Sequence, residues 1–221
     1  MGHRERLRYL ELREALNWKH GLIVYDVGAN VGDFASFVAK SPFVSAVYCF
    51  EPIPDVFDAL TMETETNAKI SCFRIGLADR SGHFLMNSND FSPSSSMLSL
   101  ARIHQEEFPL AKNIKTVEVQ TMTMSEAVKQ HGLAPPDFIK IDVQGFEDRV
   151  IRGGRDLVKK AKFCMLELSL VDLYEDSLLI TEMNALMRSL GFRMVSIVHS
   201  IVGTSGEIVQ IDGLYKNYNF H

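Results

Sequence analysis

Short apolar runs alternate with amphipathic segments along the chain, and this pattern predicts an α/β fold. Because strands that alternate with helices form a largely parallel sheet covered on both faces, we expect a doubly wound sheet. Runs with the length and composition of strands occupy residues 22–27, 46–50, 70–75, 138–143 and 163–168. Segments with helical periodicity occupy residues 34–40, 55–66, 124–131, 146–159 and 180–189.

Both ends of the chain depart from this alternation. Leucines spaced among charged residues between Arg4 and Trp18 predict an amphipathic leading helix within residues 1–21. The stretches 193–199 and 208–215 alternate in the manner of strands and predict a final antiparallel pair.

One polar patch interrupts the pattern. NSNDFSPSSSML, residues 87–98, follows the third predicted strand and predicts a surface loop. Such a loop can cover a site, so Ser95 and Ser96 are candidates for contact with a polyhydroxylated substrate, and a plain flexible loop is the alternative.

Composition narrows the class of protein. A chain of 221 residues, 46% of them hydrophobic, is expected to form a single domain over residues 1–221. The net charge of -5 argues against a nucleic-acid partner, and no apolar run approaches the roughly 20 residues of a membrane helix. Cys49, Cys72 and Cys164 lie among apolar neighbours and predict reduced thiols in a cytoplasmic protein.

The stretch IVYDVGANVGDFASF predicts a strand, a glycine-rich turn and a helix. Gly28 follows the strand directly, where the lack of a Cβ permits a sharp turn and a close approach to a ligand. Gly32 lies near the start of the helix, whose N-terminal N–H groups face any bound molecule. A tight connection without a ligand remains the alternative for the glycines alone.

The next strand ends in Glu51, at the position where a nucleotide-binding crossover presents an acid to the ribose hydroxyls. Asn30 stands where the dinucleotide fingerprint requires its second glycine, and Asp26 adds negative charge beside the place of a diphosphate. A ligand with ribose, adenine and a cationic end suits these residues better. They favour S-adenosylmethionine, whose ammonium group Asp26 can help to neutralise.

The strand DFIKIDVQG carries two charged residues on one face. Because side chains alternate across a strand, Lys140 and Asp142 point the same way. Burial of charged side chains inside an apolar strand costs free energy unless they pair with each other or take part in binding or catalysis. One interpretation is a buried ion pair that stabilises the sheet. The other places Asp142 in the crevice at the carboxyl end of a central strand, where open α/β sheets bind ligands.

The chain resembles the FkbM-type methyltransferases. The motifs VYDVGANVGDFASF, VYCFEPIPDVFDAL, GLADRSGHFLM, VQTMTMSEAV and PDFIKIDVQGFEDRVIRGG occur in the family's order over roughly residues 22–167. The resemblance implies the class I methyltransferase (Rossmann-like) fold, a doubly wound and mostly parallel sheet with an antiparallel last strand. It also implies S-adenosylmethionine as cofactor and O-methylation of a hydroxyl on a sugar, glycan or secondary metabolite.

The resemblance assigns roles to individual residues. Glu51 would hold the ribose, and Ala78 and Asp79 would lie near the adenine. The loop on the methionine side would comprise Asp26, Gly28, Ala29, Asn30 and Gly32.

The chain departs from the family pattern at two places. Gln144 stands where the family most often has Glu, which puts in doubt any mechanism that requires a second carboxylate there. Gly76, Leu77 and Ala78 replace the usual Asn-x-Ala pattern, so the contact of that Asn side chain with adenine or ribose is missing.

Methyl transfer to oxygen requires alignment of the acceptor and removal of the hydroxyl proton. Asp142 is the first candidate for the base, Lys140 for the residue that orients it, and Glu147 for an assisting or substrate-contacting acid. Glu167 with Asp142 supplies only two acids, so no metal site is expected. His199, like His104, stands alone in its segment and favours a structural role.

Two other functions remain open. A non-catalytic sensor or scaffold would retain the cofactor pocket but tolerate loss of Asp142 and Lys140. An NAD-dependent oxidoreductase would bind NAD and not S-adenosylhomocysteine. The expected partner is a small-molecule or glycan hydroxyl acceptor, and a homo-oligomer is expected if a neighbouring subunit has to complete the acceptor pocket.

Overall fold

The computed structural model of the chain describes residues 12, 16, 19–89 and 114–219. Its strands are β1 Leu22–Val27, β2 Val44–Phe50, β3 Ile70–Phe73, β4 Gly76–Leu77, β5 Gly82–Asn89, β6 Ile114–Met122, β7 Phe138–Ile141, β8 Phe163–Ser169, β9 Phe192–Val202 and β10 Ile208–Asn217. Its helices are α1 Asp33–Val38, α2 Pro54–Thr64, α3 Met124–His131, α4 Glu147–Gly153, α5 Arg155–Val158 and α6 Ile180–Ser189.

Seven strands form the central sheet, in the order β3-β2-β1-β7-β8-β10-β9. The pairs from β3 to β8 are parallel, whereas β10 runs antiparallel to both β8 and β9. The prediction of a mostly parallel sheet with an antiparallel last strand is confirmed. Within the described residues, no helix is long and apolar enough to cross a bilayer.

Apolar side chains cover both faces of this sheet. In β7, Phe138 belongs to one buried cluster, while Ile139 and Ile141 belong to the cluster on the opposite face. The alternation that the sequence predicted for β7 is therefore confirmed. Leu12 and Leu16 are helical and join the cluster of Phe138; the other residues of the predicted leading helix lie outside the described part of the chain.

A second, smaller sheet was missed by the sequence analysis. β6 pairs antiparallel with β5 and parallel with β4, and Met86 and Val119 pack on Ile53 beside the central sheet. The prediction of a loop over residues 87–98 is wrong at its start, because β5 continues to Asn89 through ladder pairs with β6. The remainder of that stretch, including Ser95 and Ser96, lies outside the described residues.

Further differences from the prediction concern the third strand and the helix after β7. The third strand ends at Phe73 rather than at residue 75, and the chain then joins the smaller sheet as β4. The predicted helix over residues 146–159 is two helices, α4 and α5, which meet at Gly154. Glycine disfavours a helix interior, which accounts for the break at this position.

Candidate active site

A cleft of about 240 Å³ opens at the carboxyl ends of β1, β2 and β7, where open α/β sheets bind ligands. Six of the predicted site residues line it: Gly28, Ala29, Asn30, Glu51, Lys140 and Asp142. Apolar side chains that the prediction did not include form one wall of the cleft. Leu77 on β4 and Met86 on β5 contribute to it together with Ile53 and Val56 at the start of α2.

Gly28 shapes the turn after β1. Its φ is +76°, and a Cβ there would lie 1.9 Å from the backbone oxygen of Asp142, so only glycine fits. The Gly28 and Ala29 N–H groups donate to the carbonyl of Phe50 at 3.0 and 3.1 Å, which ties the turn to the end of β2. Asn30 also has a left-handed backbone, with φ of 50°. The turn is thus held against both neighbouring strands.

Glu51 braces this turn from the end of β2. Its Oε2 accepts a hydrogen bond from Asn30 N at 3.1 Å, and its Oε1 accepts one from Ile53 N at 3.0 Å. The residue is 5% exposed, and burial raises the pKa of its carboxyl group to about 7, against the lowering effect of these two N–H donors. Because a carboxylate offers about four acceptor positions, each oxygen retains one for a hydroxyl of a ligand.

Lys140 on β7 joins two carboxylates, Asp26 on the neighbouring strand β1 and Asp142 in the turn after β7. Its Nζ lies 3.4 Å from Asp26 Oδ1 and 3.2 Å from Asp142 Oδ2, and it sits 5.6 Å from the centre of the Phe34 ring. Asp26 is completely buried, and burial raises the pKa of its carboxyl group, while the charge of Lys140 opposes this shift. The predicted ion pair of Lys140 and Asp142 is therefore present, and it extends to Asp26.

Gln144 makes a bridge that the sequence analysis did not foresee. Its Nε2 donates to Asp142 Oδ1 at 2.9 Å and to Glu167 Oε2 at 2.8 Å, and the Tyr174 hydroxyl donates to its Oε1. The hydroxyl of Tyr174 sets the orientation of the amide, so the NH2 group faces both carboxylates. Gln144 adopts a left-handed backbone with φ of 58°, as strained residues at functional sites often do.

Tyr174 is buried at this bridge. Burial, together with the negative charges of Glu167, Glu147 and Asp142, raises the pKa of its hydroxyl well above the usual value. The hydroxyl therefore stays protonated and remains a donor to Gln144. No feature of the sequence near Tyr174 identified this role, because the residue reaches the site from a separate connection after β8.

Glu147 supports the backbone of the same turn. Its Oε1 accepts from Val143 N at 3.1 Å and from Gly145 N at 3.2 Å, and the residue is 5% exposed. Burial raises the pKa of its carboxyl group to about 7, although the hydrogen bonds from the backbone oppose this shift. In this structure Glu147 therefore stabilises the turn that carries Gln144.

We expect Glu147 to make stability depend on pH. The folded pKa of about 7 exceeds the value of about 4.3 in an unfolded chain, so the folded state binds this proton more tightly. The stabilisation is complete below pH 4 and is lost as the pH rises towards 7, by about 3 kcal/mol. Urea denaturation of the Glu147→Gln variant, whose amide oxygen keeps the acceptor, should show a flatter pH profile than the wild type.

Exposed Glu63 on α2 supplies the matched control for this prediction. The Glu63→Gln variant should retain the pH profile of the wild type. Parallel profiles for the wild type and Glu147→Gln between pH 4 and pH 8 would show that burial of Glu147 does not shift its titration.

Five predicted site residues do not line the cleft. Asp26 lies beneath Lys140, and Glu147 lies beneath the turn after β7. Gly32 caps α1 with φ of 89°, Ala78 is fully buried, and Asp79 is exposed. The wall of the cleft on the β4 side is formed by Gly76 and Leu77, which are two positions and one position before Ala78.

The chain is similar to known methyltransferases. The family described as Methyltransferase FkbM domain matches residues 26–194. The 2-O-methyltransferase NoeI of Sinorhizobium fredii (strain NBRC 101917 / NGR234) is 27% identical over 168 residues, which cover 71% of this chain and 67% of the relative. The hexuronic acid methyltransferase AglP of Haloferax volcanii is 27% identical over 147 residues, which cover 66% of this chain and 55% of the relative.

A solved structure shares the fold. The crystal structure of methyltransferase FkbM from Methylobacillus flagellatus KT superposes with a TM-score of 0.57 and 15% identity, over 95% of this chain and 47% of that one. The chain thus spans about half the length of AglP and of this protein. The class I methyltransferase sheet that the motifs implied is the fold observed.

Proposed function

We propose, from the premise that this chain belongs to the FkbM methyltransferase family, that it transfers a methyl group from S-adenosylmethionine to a hydroxyl oxygen. The acceptor class is a sugar, a glycan or a hydroxylated secondary metabolite, in line with the 2-O-methyltransferase and hexuronic acid methyltransferase that it resembles. The position of Glu51 beside the glycine turn carries the proposal. The partners proposed are small molecules or glycans and not nucleic acids, and we propose that residues 1–221 belong to a single domain.

The residues of the cleft fit this cofactor. Glu51 has an acceptor position left on each oxygen, which suits the two hydroxyls of a ribose. The apolar wall of Ile53, Val56, Leu77 and Met86 suits the flat adenine ring. The cleft carries the carboxylates of Glu51 and Asp142, which favour a cationic group over a diphosphate.

S-adenosylmethionine would supply a methyl group on a positively charged sulfur, which is an effective leaving group. The chain has to place the oxygen of the acceptor hydroxyl in line with that methyl group, and it has to remove the proton of this hydroxyl. Asp142 is the group proposed to take the proton, because its carboxylate reaches the cleft with 27% of the side chain exposed. Lys140 and Gln144 each hold one of its oxygens and so orient it.

The role proposed for Asp26 differs from the one that the sequence suggested. Asp26 contacts Lys140 and does not line the cleft, so its charge first balances the lysine. We propose that Asp26 acts on the cofactor only through Lys140. The carboxylates that meet the ligand directly are then Glu51 and Asp142.

Calorimetric titration with S-adenosylhomocysteine tests the cofactor site. We expect micromolar binding to the wild type and at least tenfold weaker binding to the Glu51→Ala variant, which corresponds to about 1.4 kcal/mol for the lost diol hydrogen bonds. The Glu63→Ala variant removes an exposed carboxylate from α2 and should bind as the wild type does.

Two other outcomes would count against the proposal. Absence of binding to the wild type would exclude the proposed cofactor, and NAD binding in its place would favour the oxidoreductase. Equal affinity of wild type and Glu51→Ala, with both proteins folded, would leave a cofactor site but remove Glu51 from it.

A further inference from the structure

Two of the cysteines face each other on neighbouring strands. Cys49 on β2 and Cys72 on β3 are partners in the register of the central sheet, and both are free thiols. Cys49 belongs to the buried cluster that contains Phe138, and Cys72 packs against the same cluster, so the two thiols lie on one face of the sheet. Cys164, the third cysteine of the chain, belongs to the cluster on the opposite face. The first two thiols are therefore within reach of each other, and the third is not.

The spacing of this pair is compatible with a disulfide. Paired residues on neighbouring strands are separated by about 4.8 Å, within the range of about 4.4–6.8 Å that the Cα atoms of a disulfide span. The Cβ atoms of a disulfide approach to about 3.5–4.5 Å, so β3 has to move slightly towards β2. β3 contains four residues and lies at the end of the sheet, where such a movement disturbs few other strands.

Cys72 is the more reactive of the two thiols. The residue is partly exposed, whereas Cys49 is fully buried. A hydrogen bond from the Cys49 thiol lowers the pKa of Cys72 below its usual value, and partial burial opposes this shift. The same hydrogen bond, together with burial, raises the pKa of Cys49. The Thr64 hydroxyl, 3.4 Å from Cys72 Sγ, can also donate to the thiolate. Because the thiolate is the nucleophile, an oxidant reacts first with Cys72.

We propose that Cys72 and Cys49 form an oxidation site, which a hydroperoxide converts into an intrachain disulfide. The Cys72 thiolate attacks the peroxide: an S–O bond forms, the O–O bond breaks, and the leaving oxygen takes up the proton that Cys72 released, to give water or an alcohol. The Cys49 sulfur then attacks the sulfenic acid of Cys72. An S–S bond forms, the S–O bond breaks, and the hydroxyl leaves as water with the proton of Cys49. The peroxide thereby accepts two electrons and two protons from the pair.

The disulfide would form beside the residue proposed to hold the cofactor. Glu51 follows Cys49 by two positions, and its N–H donates to the carbonyl of Phe73, the residue after Cys72, at 3.2 Å. The Glu51 carboxylate in turn accepts from Asn30 N at the glycine turn. Movement of β3 against β2 at the cysteine pair therefore reaches Glu51 through this backbone bond. We expect oxidation to weaken cofactor binding, an effect that rests on the proposed function.

Thiol mapping of the whole chain tests the oxidation site. The protein is treated with hydrogen peroxide at pH 7, its remaining thiols are alkylated in urea, and its peptides are analysed by mass spectrometry. We expect a disulfide between Cys49 and Cys72 of one chain, with a mass lower by two hydrogen atoms, and an alkylated Cys164. The Cys72→Ser variant should form no disulfide, and Cys164→Ala should form the same one as the wild type.

Calorimetric titration with S-adenosylhomocysteine tests the effect on the cofactor site. The oxidised wild type should bind more weakly than the reduced one by about threefold or more, because binding groups have to keep their positions to within about 0.5 Å. Reduction with dithiothreitol should restore the affinity. Peroxide can also oxidise Met86 in the wall of the cleft, so the peroxide-treated Cys72→Ser variant is the control. It should bind as it does before treatment.

Three results would overturn the proposal. The first is a wild type without the disulfide, whether its thiols survive or Cys72 ends as a sulfinic acid. The second is a disulfide that joins Cys72 of two chains in place of the pair. The third is an intrachain disulfide that leaves the affinity for S-adenosylhomocysteine unchanged. Absence of binding to the reduced wild type would instead contradict the proposed cofactor, and the thiol map would still decide whether the pair is oxidised.

Discussion

The Gly28→Ala variant is expected to lose more than about 3 kcal/mol of folding free energy and all measurable binding of S-adenosylhomocysteine. A left-handed backbone costs an alanine about 1–2 kcal/mol. The larger part comes from the added Cβ, which would lie 1.9 Å from the Asp142 oxygen and 2.9 Å from its carbonyl carbon. Relief of this overlap has to move β1 away from the end of β7. Urea denaturation and calorimetry measure the two effects.

Gly21 provides the control for backbone conformation. Its φ is +77°, nearly the value of Gly28, but a Cβ built on it meets no atom within 4 Å. The Gly21→Ala variant should therefore lose only about 1 kcal/mol and keep its cofactor affinity. Equal losses for the two variants would mean that the left-handed backbone, and not the approach of the two strands, requires glycine after β1.

The Lys140→Met variant is expected to lose about 3–5 kcal/mol at neutral pH, because removal of one partner of a buried ion pair leaves charges without compensation. Asp26 is completely buried, and Lys140 Nζ is 3.4 Å from its carboxylate. Methionine preserves most of the volume of the lysine chain, so lost packing contributes little. Urea denaturation at pH 5 and pH 8 measures the effect.

The pH dependence of this loss identifies its cause. Burial raises the pKa of Asp26, and the charge of Lys140 opposes that shift, so the variant should have a still higher pKa at Asp26. A raised carboxyl pKa favours the folded state at low pH, and this stabilisation is lost as the pH rises through the folded value. The variant should therefore be destabilised more at pH 8 than at pH 5, by about 1 kcal/mol or more.

A double variant separates charge from shape. Asp26→Asn combined with Lys140→Met removes both members of the buried pair, and it should recover much of the stability that Lys140→Met loses at pH 8. Equal destabilisation of Lys140→Met at both pH values, with no recovery in the double variant, would show that Lys140 stabilises the sheet by packing and not by its charge.

Several elements could be predicted because their signals are local. The helix at Met124–His131 has the predicted bounds, since Thr123 and Glu126 form a capping box at its start and Gly132 ends it in a left-handed conformation. The strand Leu22–Val27 also has the predicted bounds, and its apolar run ends at the glycine that turns the chain. In each case the residues that set the bounds of the element are its neighbours in the sequence.

The smaller sheet could not be predicted in the same way. β6 reaches back to β4 and β5, and its pairing depends on side chains such as Met86 and Val119 that cover Ile53 from a distance along the chain. The stretch at Asn87 is polar and was taken as the start of a loop, yet ladder pairing with β6 keeps it in a strand. Propensity is a weak guide where partners come from remote segments.

The sequence by itself determined the alternating sheet, the glycine turn, the acid at Glu51 and the facing pair of Lys140 and Asp142. These features depend on the period of a strand, the backbone freedom of glycine and the spacing of neighbouring residues. Only the tertiary structure decided two contacts. Gln144 bridges Asp142 to Glu167, and Asp26 forms an ion pair with Lys140 and does not face the cleft. Those contacts join side chains from different strands, and the register that brings them together is set by packing of the whole sheet.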